Sequence, residues 1–140
     1  MHIRTATMND LPALTAVEAA CFPAAEAATE KDFAARLAVY PNHFWLLEED
    51  DGTLVSFVNG LVTDEPLLRD EMYADASLHN EHGAWQMIFG VNTLPQYRRR
   101  GLAGQVLERD ALRFAADRPY AFTNMTNSTA RLLLSYRYLK

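Results

Sequence analysis

The apolar and polar positions at the start of the chain predict a strand followed by a helix. Residues 2–6 alternate between apolar and polar side chains, which is the period of a half-buried strand. Thr7 or Asn9 is then expected to cap a helix. Pro23 is expected to end this helix, because proline has no backbone N–H to donate. The apolar positions of the helix recur at helical spacing, at Leu11, Leu14, Val17 and Cys21.

A second helix is predicted to begin at Thr29. Thr29 and Asp32 have the spacing of a capping box in which Asp replaces the usual Glu, so each side chain can accept a hydrogen bond from the other residue's backbone N–H. Pro41 is expected to end the helix. Its apolar positions are Phe33, Leu37 and Val39.

The middle of the chain is predicted to form a hairpin followed by a buried strand. Residues 43–48 predict a strand, the Asp-Asp-Gly sequence at 50–52 is typical of a hairpin turn, and residues 53–62 predict the return strand. Residues 64–82 are polar and irregular. The run at 84–93 is the most apolar of the chain, and it predicts a central strand.

The last part of the chain completes the predicted fold. Residues 101–116 show the clearest helix, with a continuous apolar face. A strand is predicted at 119–123 and a last helix at 127–139. The element order indicates one α/β (α+β) domain over residues 1–140, in which a mixed, mostly antiparallel central sheet is flanked by helices.

Composition narrows the class of protein. The 140 residues carry a net charge of -5 and a pI of about 5.3, which argues against binding to nucleic acid or to an anionic membrane. An acidic protein is compatible with a cationic substrate such as an amine. Cys21 is the only cysteine, so no disulfide can form within the chain, and its apolar surroundings favour a buried structural role. Because no apolar run is long enough to cross a bilayer, a cytoplasmic location is expected.

One loop carries the clearest chemical signal. Gly101 and Gly104 follow an apolar strand and open a helix, a layout in which free backbone N–H groups and the helix dipole attract an anion. Arg98, Arg99 and Arg100 add cations where the dipole disfavours them, and a bound di- or triphosphate would explain their presence. A solvated basic turn is the alternative. The sequence lacks the Gly-Lys-Ser/Thr of a Walker loop and the Gly-x-Gly-x-x-Gly of a dinucleotide-binding fold.

The same loop matches the signature of a known family. Arg98-x-x-Gly101-x-Ala103 fits the pattern (Arg/Gln)-x-x-Gly-x-(Gly/Ala) of the GNAT superfamily of N-acetyltransferases, which the chain resembles over its whole length. The resemblance implies a GNAT fold and an acetyl-CoA-dependent N-acetyltransferase without a metal. Three further segments resemble the arylalkylamine N-acetyltransferase-like branch, which implies a small primary amine as acceptor: residues 62–65, 85–93 and 95–101.

The resemblance assigns the acetyl-CoA site to one stretch of chain. The strand backbone at Val91 and Thr93 would bind the pantetheine arm, and the acetyl carbonyl would lie near residues 89–91. Main-chain amides from Arg99 to Gly104 would hold the pyrophosphate. The predicted acetyl-CoA-binding residues are Val91, Asn92, Thr93, Arg98, Arg99, Arg100, Gly101, Leu102, Ala103 and Gly104.

The resemblance also implies direct transfer, in which the amine attacks the thioester and an acid protonates the leaving thiolate. The acid expected from the family is Tyr136, with Tyr138 as the second choice. Packing of both tyrosines on a helix face is the alternative.

The base that takes the amine proton is less clearly marked. The histidine pair of the vertebrate enzyme aligns with Met87 and Phe89, which cannot take a proton, so a different base or a water chain is expected. His79 and His82 are expected at the surface. An ordinary surface position is the alternative for each of the three candidate bases, which are Glu26, Asp64 and Glu65.

The end of the chain departs from the family, which usually continues into two more strands. A sheet without those C-terminal strands is expected, with residues 120–123 at an edge that a second copy could cover in a homodimer. The departures leave three alternatives open: a catalytically degenerate acetyl-CoA-binding domain, a protein or peptide N-acetyltransferase, and an unrelated α/β binding protein. An apolar amine pocket would draw on Phe22, Phe44, Trp45, Met72, Trp85, Met87 and Phe89.

Overall fold

The part of the chain that the structure describes contains both strands and helices. The computed structural model describes residues 1–65 and 67–108 and the backbone of residues 122–123. The strands are β1 (His2–Thr5), β2 (Phe44–Glu48), β3 (Leu54–Asn59), β4 (Val62–Thr63), β5 (Trp85–Met87), β6 (Gly90–Thr93) and β7 (Phe122–Thr123). The helices are α1 (Leu11–Cys21), α2 (Glu30–Val39), α3 (Asp70–Ala74) and α4 (Leu102–Val106).

The strands form two sheets. The first has the order β1-β2-β3-β6 and is antiparallel throughout, with Leu46 opposite Phe57 and Val58 opposite Val91. The second has the order β4-β5-β7, in which β4 and β5 are antiparallel and β5 and β7 are parallel. The expectation of a mixed, mostly antiparallel sheet flanked by helices is confirmed.

Two predicted strands are each divided between the sheets, which corrects the single strands expected at 53–62 and 84–93. β3 and β4 separate at Gly60, and β5 and β6 separate at residues 88–89. The two backbones approach so closely here that a Cβ on Gly60 would lie 1.7 Å from the carbonyl oxygen of Met87. Only glycine fits such an approach. The contact between distant backbones therefore divides these strands, and the local apolar pattern does not reveal it.

Helices cover both faces of the first sheet. Every residue of β2 and β3 is buried, and consecutive side chains point to opposite faces. The core between the sheet and helices α1 and α2 includes Leu14, Val17, Phe33, Leu37, Phe44, Leu46 and Phe57. The core between the sheet and α4 includes Trp45, Leu47, Val58, Ile88, Val91, Leu102 and Val106.

The predicted start of α2 is confirmed, and the cap predicted for α1 lies on a short turn just before that helix, because both depend on local chemistry. Thr7 and Asp10 form a capping box at a short 3-10 turn that leads into α1. Thr29 and Asp32 form the expected capping box at α2. Helix α1 ends before Pro23, where Phe22 is extended.

Several predictions fall outside the described residues. The helix expected at 101–116 is described only as far as residue 108, and the last helix, with Tyr136 and Tyr138, lies beyond the described part. The strand expected at 119–123 is represented by β7. Among the described residues, no helix has the length and apolar character needed to cross a membrane.

Candidate functional site

The site is built around one edge of β6. This strand pairs with β3 along one side and is the last strand of its sheet within the described part of the chain. The carbonyl oxygen of Thr93 accepts hydrogen bonds from Cys21 Sγ at 3.3 Å and Arg98 Nε at 3.1 Å. The preceding strand, β5, belongs to the second sheet and does not pair with β6. The other edge of β6 therefore borders the space between the sheets and the helices.

A cavity of about 360 Å³ lies along this edge. Its walls come from β6, from the loop after it, from the first turn of α4 and from the end of α1. The lining residues are Cys21, Phe22, Val91, Thr93, Tyr97, Arg98, Arg99, Gly101, Leu102 and Ala103. We call this the loop cavity.

The N-terminus of α4 lies at this cavity without a side-chain cap. Gly101 precedes α4 with φ 72°, in the left-handed region, and no side chain caps the helix. Arg99 also has a positive φ, 65°, which costs a non-glycine residue on the order of 1 kcal/mol. With no cap, the first amides of α4 are open to an anion.

The three arginines of the loop have different surroundings. Arg98 is tied to the strand through the Thr93 carbonyl and also lines the cavity. Arg99 lines the cavity beside it. Arg100 instead donates to the Gln96 carbonyl at 3.3 Å and lies over the ring of Tyr97 at 5.2 Å. Arg98 and Arg99 therefore bring positive charge to the cavity, and Arg100 braces the preceding turn.

A second cavity of about 490 Å³ begins where β6 begins. Phe22 lines both cavities, and Val91 of the loop cavity is next to Gly90 of this one. We call it the helix cavity, because most of its walls come from α1, α2 and the chain between them. Its lining residues are Glu18, Phe22, Glu26, Ala27, Ala28, Asp32, Arg36, Asn59, Tyr73, Ala74, Phe89 and Gly90.

Glu18 joins the two cavities structurally. Its side chain is buried, and its Oε1 accepts from Asn92 Nδ2 at 2.5 Å while Oε2 accepts from the Ala28 N–H at 2.8 Å. This carboxylate therefore ties α1 to β6 and to the chain that leads into α2. The sequence signal was a charged residue on the apolar face of α1, four positions after Leu14, and it was missed.

Arg36 is the least expected feature of the helix cavity. It lies on α2 and is only 4% exposed. Nη1 donates to Asn59 Oδ1 at 3.1 Å and Nη2 to the Tyr73 carbonyl at 3.0 Å. The guanidinium also lies over the Phe89 ring at 4.9 Å. Sequence reasoning missed this residue too, although its spacing from Phe33 placed it on the buried face of α2.

These features match a known family. A model of the acetyltransferase (GNAT) family matches residues 11–134, which is most of the chain. The chain belongs to the acetyltransferase (GNAT) family. The superfamily and the enzyme class expected from the loop motif are thereby confirmed. A search of curated proteins finds no match.

Solved structures agree with this family. The GNAT-like decarboxylase GphF, in complex with isobutyryl-CoA, is 26% identical with a TM-score of 0.76, over 97% of this chain and 72% of that one. The loading GNATL domain of CurA from Lyngbya majuscula is 23% identical with a TM-score of 0.73, over 86% of this chain and 60% of that one. The ribosomal-protein-S18-alanine N-acetyltransferase of Escherichia coli is 19% identical with a TM-score of 0.63, over 99% of this chain and 75% of that one. The last two show the fold alone.

In this GNAT domain most of the predicted acetyl-CoA residues lie together. Val91, Thr93, Arg98, Arg99, Gly101, Leu102 and Ala103 all line the loop cavity. Three do not: Asn92 is buried against Glu18, Arg100 lies on Tyr97, and Gly104 lies inside α4. The motif therefore coincides with the wall of one cavity, and the role of each residue in binding acetyl-CoA stays a prediction.

The candidate bases are separated by the fold. Glu26 lies at an exposed turn and lines the helix cavity. Asp64 lines neither cavity, and its carboxylate accepts from Asn80 Nδ2 at 3.1 Å and from the Ala84 N–H at 3.3 Å. Glu65 is paired with Arg69 at 2.7 Å. Tyr136 lies outside the described residues.

The apolar residues proposed for an amine pocket are mostly core. Met87 is fully buried and Phe89 lies under Arg36, and neither has a group that could take a proton. Of the seven, only Phe22 and Phe89 line the loop cavity or the helix cavity. Cys21, expected to be buried, is half-buried and lines the loop cavity.

One histidine differs from its expected position. His79 was expected at the surface, but its side chain is only 5% exposed and stacks on Tyr40 with ring centroids 4.9 Å apart. Its Nδ1 accepts the Val62 N–H at 3.0 Å, and its Nε2 lies 2.7 Å from Glu81. His82, in contrast, is exposed as expected.

His79, His43 and Glu81 form a cluster that lines neither cavity. Burial lowers the pKa of His79, and the hydrogen bond to Glu81 opposes this only in part. Burial acts to raise the pKa of Glu81, but hydrogen bonds from His79 and His43 outweigh it and lower the pKa. The potential ligand atoms lie within 4.8 Å of one another. However, His79 Nδ1 accepts a hydrogen bond, so Nε2 carries the proton and is a poor metal ligand.

Proposed function

We propose that the chain transfers an acetyl group from acetyl-CoA to a primary amine of the arylalkylamine type. The observation that carries this proposal is the pair of adjoining cavities. The loop cavity suits the coenzyme, the helix cavity suits the amine, and they share Phe22 and meet between Gly90 and Val91. An acceptor and a thioester held there would be neighbours, which is the main requirement of direct transfer.

The coenzyme would be held mainly by backbone. The amides from Arg99 to Gly104 would bind the pyrophosphate, with added charge from Arg98 and Arg99. The pantetheine arm would lie along Val91 and Thr93 at the edge of β6. The absence of a second paired strand at this edge, within the described residues, supports that placement.

The reaction would proceed by attack of the neutral amine nitrogen on the thioester carbonyl. The new C–N bond forms, the C–S bond breaks, and coenzyme A leaves as a thiolate. Glu26 is the proposed base, since it alone of the predicted carboxylates lines the helix cavity. Tyr136 remains the proposed acid. The rings of Phe22, Tyr73 and Phe89 around the helix cavity favour an aromatic acceptor.

Calorimetric titration with acetyl-CoA, followed by a thiol-release assay, tests the proposal. The assay would compare arylalkylamines with polyamines and with an amino-terminal peptide. We expect binding, and fastest release with an arylalkylamine. A folded sample that does not bind acetyl-CoA would overturn the proposal. Binding without release would favour a degenerate domain, and release with the peptide alone would favour a protein N-acetyltransferase.

Decarboxylation of an acyl-CoA is the second candidate. The specific observation is the likeness to the GNAT-like decarboxylase GphF over 97% of this chain. Release of carbon dioxide from malonyl-CoA, measured without any amine, distinguishes this activity from acetyl transfer.

Two expectations about the setting of the reaction belong to the same proposal. The first is a cytoplasmic location, and the second is a homodimer formed through the edge near residues 120–123. Light scattering after size exclusion tests the second, since a monomer at high protein concentration contradicts it.

A further inference from the structure

The helix cavity contains a buried positive charge whose hydrogen-bond partners, among the described residues, are all neutral. Arg36 is only 4% exposed, and its hydrogen-bond acceptors are an amide oxygen and a backbone carbonyl. Its Nε is buried without a hydrogen-bond partner in the described part of the chain. A guanidinium keeps its charge in proteins, and a buried charge is costly unless an opposite charge accompanies it.

Three acidic residues line this cavity, Glu18, Glu26 and Asp32, and none of them forms a hydrogen bond or ion pair with Arg36. Hydrogen bonds from Thr29 are the main cause that lowers the pKa of Asp32, and the charge of Arg36 adds to them only as a smaller cause. Glu18 is already held by Asn92 and by the Ala28 N–H. Asp32 is held by the backbone and side chain of Thr29, in the cap of α2. Neither carboxylate forms an ion pair with Arg36, although both line the same cavity.

Arg36 is also held in a fixed orientation. Its two Nη hydrogen bonds join it to β3 and to the end of α3, and the rings of Phe33 and Phe89 lie 5.3 Å and 4.9 Å from its guanidinium carbon. A guanidinium has five N–H donors, and these contacts use only some of them. A fixed fork of donors beside a cavity is suited to a carboxylate, which can accept two parallel hydrogen bonds.

We propose that Arg36 binds a carboxylate of the substrate inside the helix cavity. This inference rests on the proposed function, because it takes the helix cavity as the place where the substrate lies next to the thioester. The carboxylate belongs either to the acceptor amine, which would then be an amino acid, or to the acyl group of the thioester. Glu26 on the same cavity suits the ammonium group of an amino acid.

Matched substrates test the first source. Thiol release from acetyl-CoA is measured with tryptophan against tryptamine, and with phenylalanine against phenethylamine. We expect kcat/KM to favour the amino acid by roughly tenfold or more, because the analogue without the carboxylate leaves Arg36 unpaired. The ratio within each pair should fall toward one in Arg36→Met, and partly in Arg36→Lys, which keeps the charge without the fork.

Matched thioesters test the second source. Calorimetry compares malonyl-CoA with acetyl-CoA in the wild type and in Arg36→Met. Tighter binding of malonyl-CoA that is lost in the variant places the carboxylate on the acyl group. Arg69→Met is the control, because Arg69 is exposed and paired with Glu65 outside both cavities, and it should change neither ratio.

Each result bears on the proposal. The wild type and both Arg36 variants could show the same preference between amino acid and amine and the same preference between malonyl-CoA and acetyl-CoA. That result would overturn the proposal while leaving acetyl transfer intact. No thiol release with any amine, together with an Arg36-dependent preference for malonyl-CoA, would overturn the proposed function and support this inference. If Arg36→Met does not fold, the comparison of Arg36→Lys with the wild type decides. A wild type that prefers tryptamine to tryptophan and binds the two thioesters equally contradicts the proposal.

Discussion

The two cavities of this GNAT domain are built in opposite ways. The walls of the loop cavity come largely from one stretch of chain, residues 91–103, and much of its chemistry is backbone N–H groups and a glycine with positive φ. The helix cavity is made mostly of side chains from α1, α2, the chain between them, β3, α3 and the residue before β6. A continuous stretch leaves a motif in the sequence, whereas a set of distant side chains does not. The comparison predicts that substitutions can damage one cavity and spare the other.

The largest effect is expected at the joint on which both cavities depend. Gly60→Ala places a Cβ 1.7 Å from the Met87 carbonyl oxygen, which neither backbone can avoid without breaking the division between the sheets. We expect a loss of about 4 kcal/mol or more in the free energy of unfolding, and loss of both binding functions. Chemical denaturation measures this, and a Gly60→Ala protein of wild-type stability would show that the joint is not needed.

Glu18→Ala should damage the helix cavity more than the loop cavity. It removes the acceptor for Asn92 Nδ2 and for the Ala28 N–H, so we expect a stability loss of about 2 kcal/mol. The acceptor KM should rise more than the Kd for acetyl-CoA, because the chain between α1 and α2 forms the wall of the helix cavity. Glu71→Ala is the matched control, since that carboxylate is exposed. Equal losses of acetyl-CoA and acceptor binding would contradict the separation.

Gly101→Ala should affect only the loop cavity. A Cβ at this position meets no atom within 4 Å, so the cost comes from φ 72° alone and is about 1 kcal/mol. Gly52→Ala has the same open surroundings with φ 90°, and Gly52 lines neither cavity. The two variants should lose similar stability, but only Gly101→Ala should weaken acetyl-CoA binding in calorimetry. A weakening in both would mean that the loop geometry is not specific to the ligand.

The smallest effect is expected at the cluster of His43, His79 and Glu81, which lines neither cavity. Because the folded pKa of His79 lies below its ordinary value, the unfolded chain binds more protons between these two values, and stability should rise with pH there. Lowering the pH from 7 to 5 should cost on the order of 1 kcal/mol or less through this group. His79→Gln should flatten that slope in thermal denaturation and His82→Gln should not. The two variants should leave the Kd for acetyl-CoA unchanged at pH 7.

Some of the fold and site could be predicted because the causes are local. The capping boxes at Thr7 and Thr29 need only residues within one helical turn, so the sequence alone placed the start of α2 and the capped turn just before α1. The loop after β6 could be predicted for the same reason, since its arginines and glycines are adjacent. Its details were less predictable: Arg100 is held by Tyr97, and Asn92 by Glu18 from a different helix.

The sequence by itself determined the layered α/β class, the helix caps and the strand–loop–helix unit that places this chain among the GNAT acetyltransferases. Only the tertiary structure decided where the long apolar runs divide, because the close approach at Gly60 joins segments distant along the chain. It also decided that Glu26 lines one of the two cavities and Asp64 neither, and that Arg36 is buried with neutral hydrogen-bond partners. Periodicity reports which face a residue is on. Which side chains pack against that face depends on contacts between helices and strands, and those contacts exist only in the folded chain.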